Sequence, residues 1–503
     1  MAKQLKIGNF KSFGKTQEIN LKPITLIFGA NSAGKSSIIQ NLILIEEYLD
    51  KHTLDLFQVI KDQEVIDYGG AKQFLNQRSK NGTITLGGKV DLDFLTEWDD
   101  FKNYLNSNDS LIDDIRSAID DDGDFIELEI TTCLDWEIEF NVGDFDKIYI
   151  TNIVLSIDEY EVYAYTSDKD YQETFYYHGM PEYNIPPGLT LLKLVQKSKS
   201  SPELRIEDFA YAHHVMCYFR SQVNVHRLVE HLEEYFNKSD IKILEDLQFD
   251  DSDNIYSPTE DMERVLSHVF KEIKNRYQST YFGPWRRIPD RLYGNSDNQP
   301  NSWKRLFEDE FLRKRVNKLL LSLGIQYEVI IEKYHSELKT NRTHKFIALR
   351  DISNNSLISV NDVGTGISQI LPILVALEDH LAGIIYVEQP ELHLHPGLQA
   401  KWGKALKEAS QSNFVIFETH SEHIIKSIQL EIMKANQSGG KDGIANEDVA
   451  ILYVSRDENG DSIVKEMKLD KTGSFIEPWP DDFFEISADL SLERLRQSCK
   501  SKN

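Results

Sequence analysis

Cysteine is scarce in this 503-residue chain: Cys133, Cys217 and Cys499 are odd in number and far apart. That excludes a disulfide framework and a clustered zinc site, and it fits a reducing compartment. Long apolar runs are missing as well. No stretch approaches the roughly 18 residues that a membrane-spanning helix needs, so no membrane segment is expected. The opening Met1-Ala2-Lys3-Gln4-Leu5-Lys6 lacks the apolar core of a secretion signal, and the expected location is the cytoplasm. Positive charge is in deficit, with 56 Lys and Arg against 82 Asp and Glu and a net charge of −26. So acidic a shell repels nucleic acid over most of the surface, and any such contact has to be local. Internal repeats and low-complexity linkers are also absent.

What is present is ordinary globular material, 40% hydrophobic, in a chain too long for one compact core. Leu5, Ile7 and Phe10 give a short strand an apolar face, and Ile24-Thr25-Leu26-Ile27-Phe28 reads as a buried strand. A helix is expected from Ser37 to Leu49. Residues 83–178 alternate with period two, as in Phe125 to Ile130 and Tyr149 to Tyr165, which predicts an antiparallel sheet. An Asp-rich loop interrupts it near 98–124, and 204–280 reads as mainly helical. Thr280 to Phe282 is strand-like, and a basic helix follows at 303–323. Beyond 360, the apolar runs Ile384–Val387 and Phe414–Phe417 alternate with helices expected near 366–382, 397–411 and 421–435. That order predicts an α/β fold with a mixed, largely parallel sheet. The expected organisation is one head split by an insertion. Its first lobe spans 1–90, the β- and α-containing insertion 91–300, the second lobe 301–470 and a tail 471–503.

Four motifs carry chemistry. Gly29-Ala30-Asn31-Ser32-Ala33-Gly34-Lys35-Ser36, with Ser37 after it, lies between a strand and a helix and fits the phosphate-binding loop. Its backbone N–H groups would cradle phosphates, Lys35 would reach the β/γ-phosphates and the Ser36 hydroxyl would meet Mg²⁺. This makes the chain an ATP-binding protein in expectation. Glu388 ends an apolar strand, the place from which such proteins hold Mg²⁺. His420, in Thr419-His420-Ser421, ends the next strand and could touch a γ-phosphate or position water. Asn361-Asp362-Val363-Gly364-Thr365-Gly366-Ile367-Ser368-Gln369 opens an apolar helix, and its glycines make a second anion-binding helix start.

In this order the motifs resemble the ABC-type ATPases of the RecF-, SMC- and OLD-like branch. Ile7-Gly8-Asn9-Phe10-Lys11-Ser12-Phe13 resembles that branch's first strand, and Gly364 to Gln369 its signature. Glu388-Gln389-Pro390-Glu391-Leu392-His393-Leu394-His395-Pro396 resembles its Walker B and D-loop, and Thr419-His420-Ser421 its H-switch. The tail from Gly473 through Pro480 to Glu485 is similar to that of a subgroup with a short terminal domain. The nearest likeness is to the ATPase subunits of Septu-type and retron-associated antiphage modules. The resemblance implies a homodimer, or a higher even oligomer, whose heads meet face to face. Each ATP would lie between one P-loop and the other copy's signature. It also implies a separate effector, such as an HNH-type nuclease.

The sequence departs from that branch at several points. Gly364 replaces a signature serine, leaving Gly366, Ser368 and backbone amides to act. Gln73, after Gly69-Gly70, is the one candidate for a Q-loop glutamine. Gln389 stands where a catalytic glutamate is usual, and an amide cannot take a proton as a carboxylate does. Slow hydrolysis is therefore expected, with Glu391 or His420 supplying part of the missing function. His393 and His395 belong to the D-loop rather than to a zinc site. Arg286, Arg287, Arg291, Lys304, Arg305, Arg313, Lys314, Arg315 and Lys318 form the basic segment 286–318. It is either a solvated helix face or a contact for nucleic acid or a partner. Two other functions stay open: a DNA-repair ATPase without an effector, and an OLD-like nuclease-ATPase. Against the latter, only about 40 residues follow Ile463-Val464, too few for a nuclease domain. Asp457 to Asp461 reads as a hairpin turn. The lack of long heptads argues against an SMC-type clamp.

Overall fold

The computed structural model describes residues 2–51, 57–62, 64–76, 82–91, 133–142, 148–157, 160–166, 191–192, 273–289, 301–335, 343–379 and 383–480. The acidic stretch 98–124, the run Phe125 to Ile130, the stretch 204–272, Arg291, residues 481–485 and Cys499 lie outside the described residues. By internal contacts the chain forms two units. One is Thr83–Arg276 with Met1 and Ala2; the other joins Lys3–Gly82 to Tyr277–Asn503.

The second unit is a head assembled from both ends of the chain. β1 (Ala2–Gly8) and β2 (Gln17–Asn20) pair antiparallel, with Leu5 opposite Ile19. β3 (Ile24–Gly29) is buried at every position, as a strand covered on both faces must be. The loop after it leads into α1 (Lys35–Lys51), which buries Ile38, Ile39, Leu42 and Ile45. A small hairpin follows, β4 (Gln58–Lys61) with β5 (Glu64–Asp67), and then the short α2 (Ala71–Phe74).

The other unit begins with β6 (Thr83–Asp91) and runs as an antiparallel meander through β7 (Cys133–Val142), β8 (Ile148–Ile157), β9 (Tyr160–Thr166) and β10 (Leu191–Leu192). Trp136, Ile138 and Phe140 are buried on one face of β7 while Glu137 and Glu139 alternate with them. The expected insertion limits of 91 and 300 thus differ from the division at 83 and 276. Thr83–Asp91 pairs along its whole length with β7, and the strand after Arg276 belongs to the head.

That strand is β11 (Ser279–Phe282). The expected basic helix is two, α3 (Asn301–Glu308) and α4 (Glu310–Ser322). Asp309 separates them by leaving helical geometry and capping α4, its carboxylate accepting the Leu312 N–H at 2.9 Å. β12 (Tyr327–His335), β13 (Thr343–Asp351) and β14 (Leu357–Ser359) form an antiparallel sheet. Then come α5 (Thr365–Glu378), β15 (Ile384–Glu388), α6 (Pro396–Gln399), α7 (Trp402–Ala409), β16 (Phe414–Glu418), α8 (Glu422–Ser438), β17 (Val449–Arg456) and β18 (Ser462–Glu466). The main sheet has the order β11-β15-β16-β3-β17-β18, parallel except for β18.

Trp303, Leu319, Leu374, Val387, Trp402 and Phe417 share one continuous core beneath this sheet. Burial of a large apolar side chain contributes about 1.5–3 kcal/mol. In parallel register, Glu388 of β15 is the partner of Glu418 of β16, and Glu418 that of Ile27 of β3. The carboxyl ends of three neighbouring strands therefore converge, and ligands of open α/β sheets bind beyond that edge.

Candidate nucleotide-binding site

Gly29 and Gly34 hold the phosphate-loop shape. Their φ angles, +147° and +109°, are ones that side-chain-bearing residues rarely adopt. Both are also close-packed. A Cβ on Gly29 would lie 2.1 Å from the Val454 carbonyl oxygen, and one on Gly34 would lie 2.3 Å from Ser12 Oγ and 2.4 Å from Ser462 Oγ. Ser32, with φ +60°, carries the turn between them. The loop's outward carbonyls are anchored by the last hairpin. Ser462 Oγ donates to Ala33 O at 2.5 Å, and the Arg456 guanidinium donates to Ser32 O at 2.5 and 3.2 Å. Asn31 and Ser32 are exposed, whereas Ala33 and Ser37 are buried.

Lys35 is buried and donates to the carbonyls of Gly29 at 3.2 Å and Ala30 at 2.9 Å. Burial lowers its pKa, and Glu418 and Glu391 oppose that shift. The Ser36 hydroxyl donates to Glu418 Oε2 at 2.7 Å. Glu388 instead accepts the Tyr281 hydroxyl at 3.0 Å. Burial first and the neighbouring Glu418 second push the Glu388 pKa up to about 7. Burial also raises Glu418, while the Ser36 bond and Lys35 pull it back.

Glu391 joins the D-loop to the strand beside it. Its carboxylate accepts the Thr419 hydroxyl and the His420 N–H, both at 2.7 Å. Gln389 turns the chain with φ +48° and donates its N–H to Glu418 O at 2.7 Å. His420 is half-buried, and burial followed by the charge of Lys35 lowers its pKa, which keeps the imidazole neutral near pH 7. The two D-loop histidines have other tasks. His395 Nδ1 caps α6 by accepting the Gly397 N–H at 3.1 Å, and His393 packs against Trp285, the ring centroids 4.9 Å apart.

The helix start expected to read a second anion is partly different from expectation. Gly364 is exposed, caps α5 without any side-chain bond, and has open space where a Cβ would be. Gly366 is close-packed, its Cβ position 2.8 Å from His393 O. Ser368 faces inward: it is 2% exposed and its hydroxyl donates back to Thr365 O at 3.0 Å. That hydroxyl is spent inside the helix, so this start offers its backbone N–H groups and the exposed Thr365 rather than Ser368. Gln73 lies exposed on α2.

Arg286 is not on a surface. It is 4% exposed, its guanidinium donates to Glu388 O and, at 3.2 Å, to Gln389 O. Burial lowers its pKa to about 10, and the carboxylates of Glu64, Glu391 and Glu388 resist that fall. Its backbone is clasped by Gln369, which accepts the Arg286 N–H at 2.8 Å and donates to its carbonyl at 2.9 Å. Much of the remaining basic segment is engaged locally. Arg305 pairs with Asp379 at 2.8 and 3.1 Å, Arg313 and Arg315 donate to helix-end carbonyls, and Lys314 pairs with Glu310.

Sequence reasoning missed Glu418, Tyr281, Arg456 and Ser462. A signal for Glu418 existed, since Phe414–Phe417 followed by Glu repeats Ile384–Val387 followed by Glu. None existed for Arg456 and Ser462, whose contacts span 424 and 429 residues of sequence.

A glycine-shaped loop with Lys and Ser, at the carboxyl edge of a parallel sheet and opposite strand-end carboxylates, defines a P-loop ATPase head of the α/β class. The chain belongs to the AAA ATPase domain family, whose profile matches residues 1–425. A second profile, of a protein of unknown function (DUF3696), matches residues 444–493. Hydrolysis of ATP is what membership of the first family implies. Nothing among curated proteins matches the chain. Among solved structures, an Smc head bound to the C-winged helix domain of ScpA is 12% identical, with a TM-score of 0.41 over 93% of this chain and 98% of that one. The SMC head domain from Thermotoga maritima is 10% identical, with a TM-score of 0.37 over 93% and 99%. An Smc head with an extended coiled coil bound to the C-terminal domain of ScpA, from Pyrococcus furiosus, is 13% identical, with a TM-score of 0.38 over 98% and 99%. No helix among the described residues is long and apolar enough to cross a membrane.

Three substitutions test this geometry. Gly29→Ala should abolish binding of a fluorescent ATP analogue, because its Cβ has to displace the Val454 backbone. Ser462→Ala, which removes a single anchor, should weaken binding much less. Arg286→Met should leave buried carbonyls unpaired and cost about 3 kcal/mol in urea unfolding. A midpoint unchanged by Arg286→Met would contradict its place in the core.

Proposed function

We propose that two copies of this chain close head to head around ATP and Mg²⁺, hydrolyse ATP slowly, and so control a partner effector in defence against phage. The effector on this reading is a separate nuclease, such as one of the HNH type. The carrying observation is the phosphate loop with Lys35 and Ser36 set against Glu388 and Glu418. The loop fits the nucleotide: its glycines leave the backbone N–H side free, and Lys35 now bonds its own loop carbonyls, from which it can turn to phosphate oxygens. Gly29, Asn31, Ser32, Ala33, Gly34, Lys35, Ser36 and Ser37 would hold the phosphates, and Ser36 and Glu388 would face Mg²⁺. Bound Mg²⁺ would supply charge stabilisation at the transferred phosphoryl group.

The dimer rests on the resemblance to RecF- and SMC-like heads and on the open start of α5. Uncapped backbone N–H groups beside Gly364 suit the phosphates of a nucleotide carried by the other copy. Slow turnover rests on Gln389. Its amide can orient water but cannot accept the proton, and general-base help is worth about 10²–10⁴-fold. The effector and the antiphage role rest on the motif likeness alone. Of the basic segment, the exposed Lys304 and Lys318 are the residues with which a nucleic-acid contact would begin.

Lys35→Ala should remove most ATP affinity by equilibrium binding, and wild-type affinity in a folded Lys35→Ala protein would refute the loop assignment. In single-turnover hydrolysis, Gln389→Glu should be faster by about tenfold or more, with a shorter-lived ATP dimer. Glu388→Gln should slow it. If wild type already turns over as fast as Gln389→Glu, the amide is no brake.

A further inference from the structure

Glu418 has no assigned role, yet it is the carboxylate that touches the phosphate loop. The Ser36 hydroxyl, the group through which such loops meet Mg²⁺, points at Glu418 Oε2 from 2.7 Å. Glu388, the expected metal carboxylate, is turned to the Tyr281 hydroxyl at 3.0 Å. Adjacent ligands of an octahedral Mg²⁺ at 2.0–2.1 Å lie about 2.9 Å apart. Ser36 Oγ and Glu418 Oε2 already have nearly the spacing of such an edge. Both oxygens would need only the shared proton rotated away to face one ion.

The backbone fixes this carboxylate firmly. Glu418 is buried at the end of β16, between β15 and β3 in the sheet. Its carbonyl accepts the Gln389 N–H at 2.7 Å, and the next two residues are held by Glu391. Neighbouring strands run about 4.8 Å apart. Glu388 and Glu418, partners in register, thus lie side by side with Lys35 close to Glu418.

We propose that Glu418, bonded to Ser36, also faces the Mg²⁺ of bound nucleotide, so that Glu388 and Glu418 act there as an acidic pair. This rests on the ATP reading above. A paired site has a consequence that a single acid lacks. Without the cation, two carboxylates oppose the phosphates; with it, both are neutralised. Nucleotide binding is therefore unusually dependent on a divalent ion.

The test is equilibrium binding of a non-hydrolysable fluorescent ATP analogue to the full chain, in EDTA and in Mg²⁺. Mn²⁺ would be followed by electron paramagnetic resonance in parallel. In Glu418→Gln the tightening by Mg²⁺ should shrink by on the order of tenfold or more. Its affinity in EDTA should rise, because a negative charge has left the phosphates. A purely electrostatic effect of Glu418 would raise affinity in EDTA and in Mg²⁺ alike and leave their ratio and the Mn²⁺ signal unchanged. Glu418→Asp, which retracts the carboxylate without removing charge, should lower the Mg²⁺ effect alone and serves if Glu418→Gln does not fold. An unchanged Mg²⁺ ratio and Mn²⁺ signal in Glu418→Gln, or in Glu418→Asp where that variant carries the test, would overturn the proposal while leaving the ATP reading intact. Absence of binding by wild type in both conditions would overturn the ATP reading itself.

Discussion

A buried guanidinium holds the chemistry of this head together. Arg286 reaches the carbonyls of Glu388 and Gln389 at the carboxyl end of β15, while Gln369 of α5 clasps its backbone through both amide atoms. One residue thereby fixes the strand that carries Glu388 and the helix whose first turn opens at Gly364. Its charge matters as much as its bonds. Glu64, Glu391 and Glu388 all act on it, and in a site of low dielectric its charge offsets part of their mutual repulsion.

The phosphate loop depends in turn on the far end of the chain. Ser462 and Arg456 bind its outward carbonyls, and the Val454 backbone fills the space that a side chain on Gly29 would require. Gln17 closes the same seam, donating to Ser462 O at 2.5 Å and accepting the Val464 N–H at 2.9 Å. Trp479 then packs edge-on against Phe28, the residue before the loop, and against Tyr453 and Phe475. The described part of the segment with the unknown-function profile is therefore part of the wall behind the nucleotide loop. An inward carbonyl would compete with phosphate for the loop's concave face; holding the carbonyls outward leaves the N–H groups for the ligand.

The local periodicities that make strands and helices were legible, and so were the motif residues at their ends. β3, β15, β16, α5 and the Asp457–Asp461 turn lie where apolar runs and turn chemistry placed them, because each is settled by its own few residues. The break at Asp309 was missed, although the buried positions slip phase there, from Trp303 and Leu306 of α3 to Leu312, Val316 and Leu319 of α4. Side-chain direction was also beyond reach. Ser368 could be placed on a helix start but not known to point inward, and Arg286 read as surface charge because burial depends on β15 and α5 rather than on its neighbours in sequence. The acid that meets Ser36 is decided by register between β15, β16 and β3, which pairs Glu388 with Glu418 but sets only Glu418 beside the loop strand.

The same register narrows which group could serve hydrolysis once Gln389 occupies the usual glutamate position. Glu391 was a natural substitute by sequence, yet each of its oxygens accepts a bond that joins the D-loop to Thr419 and His420. Freeing it would break the turn it stabilises. Glu388 carries the Tyr281 hydroxyl, and Glu418 carries Ser36. His420 differs from all of these. Its backbone is held by Glu391, and its imidazole is kept neutral by partial burial and by the positive charge of Lys35. A neutral imidazole can accept a proton, so it is the group to which the role would pass. On the proposed reading, slow hydrolysis follows from the amide at position 389, which stands where a carboxylate would take the proton and cannot take it itself.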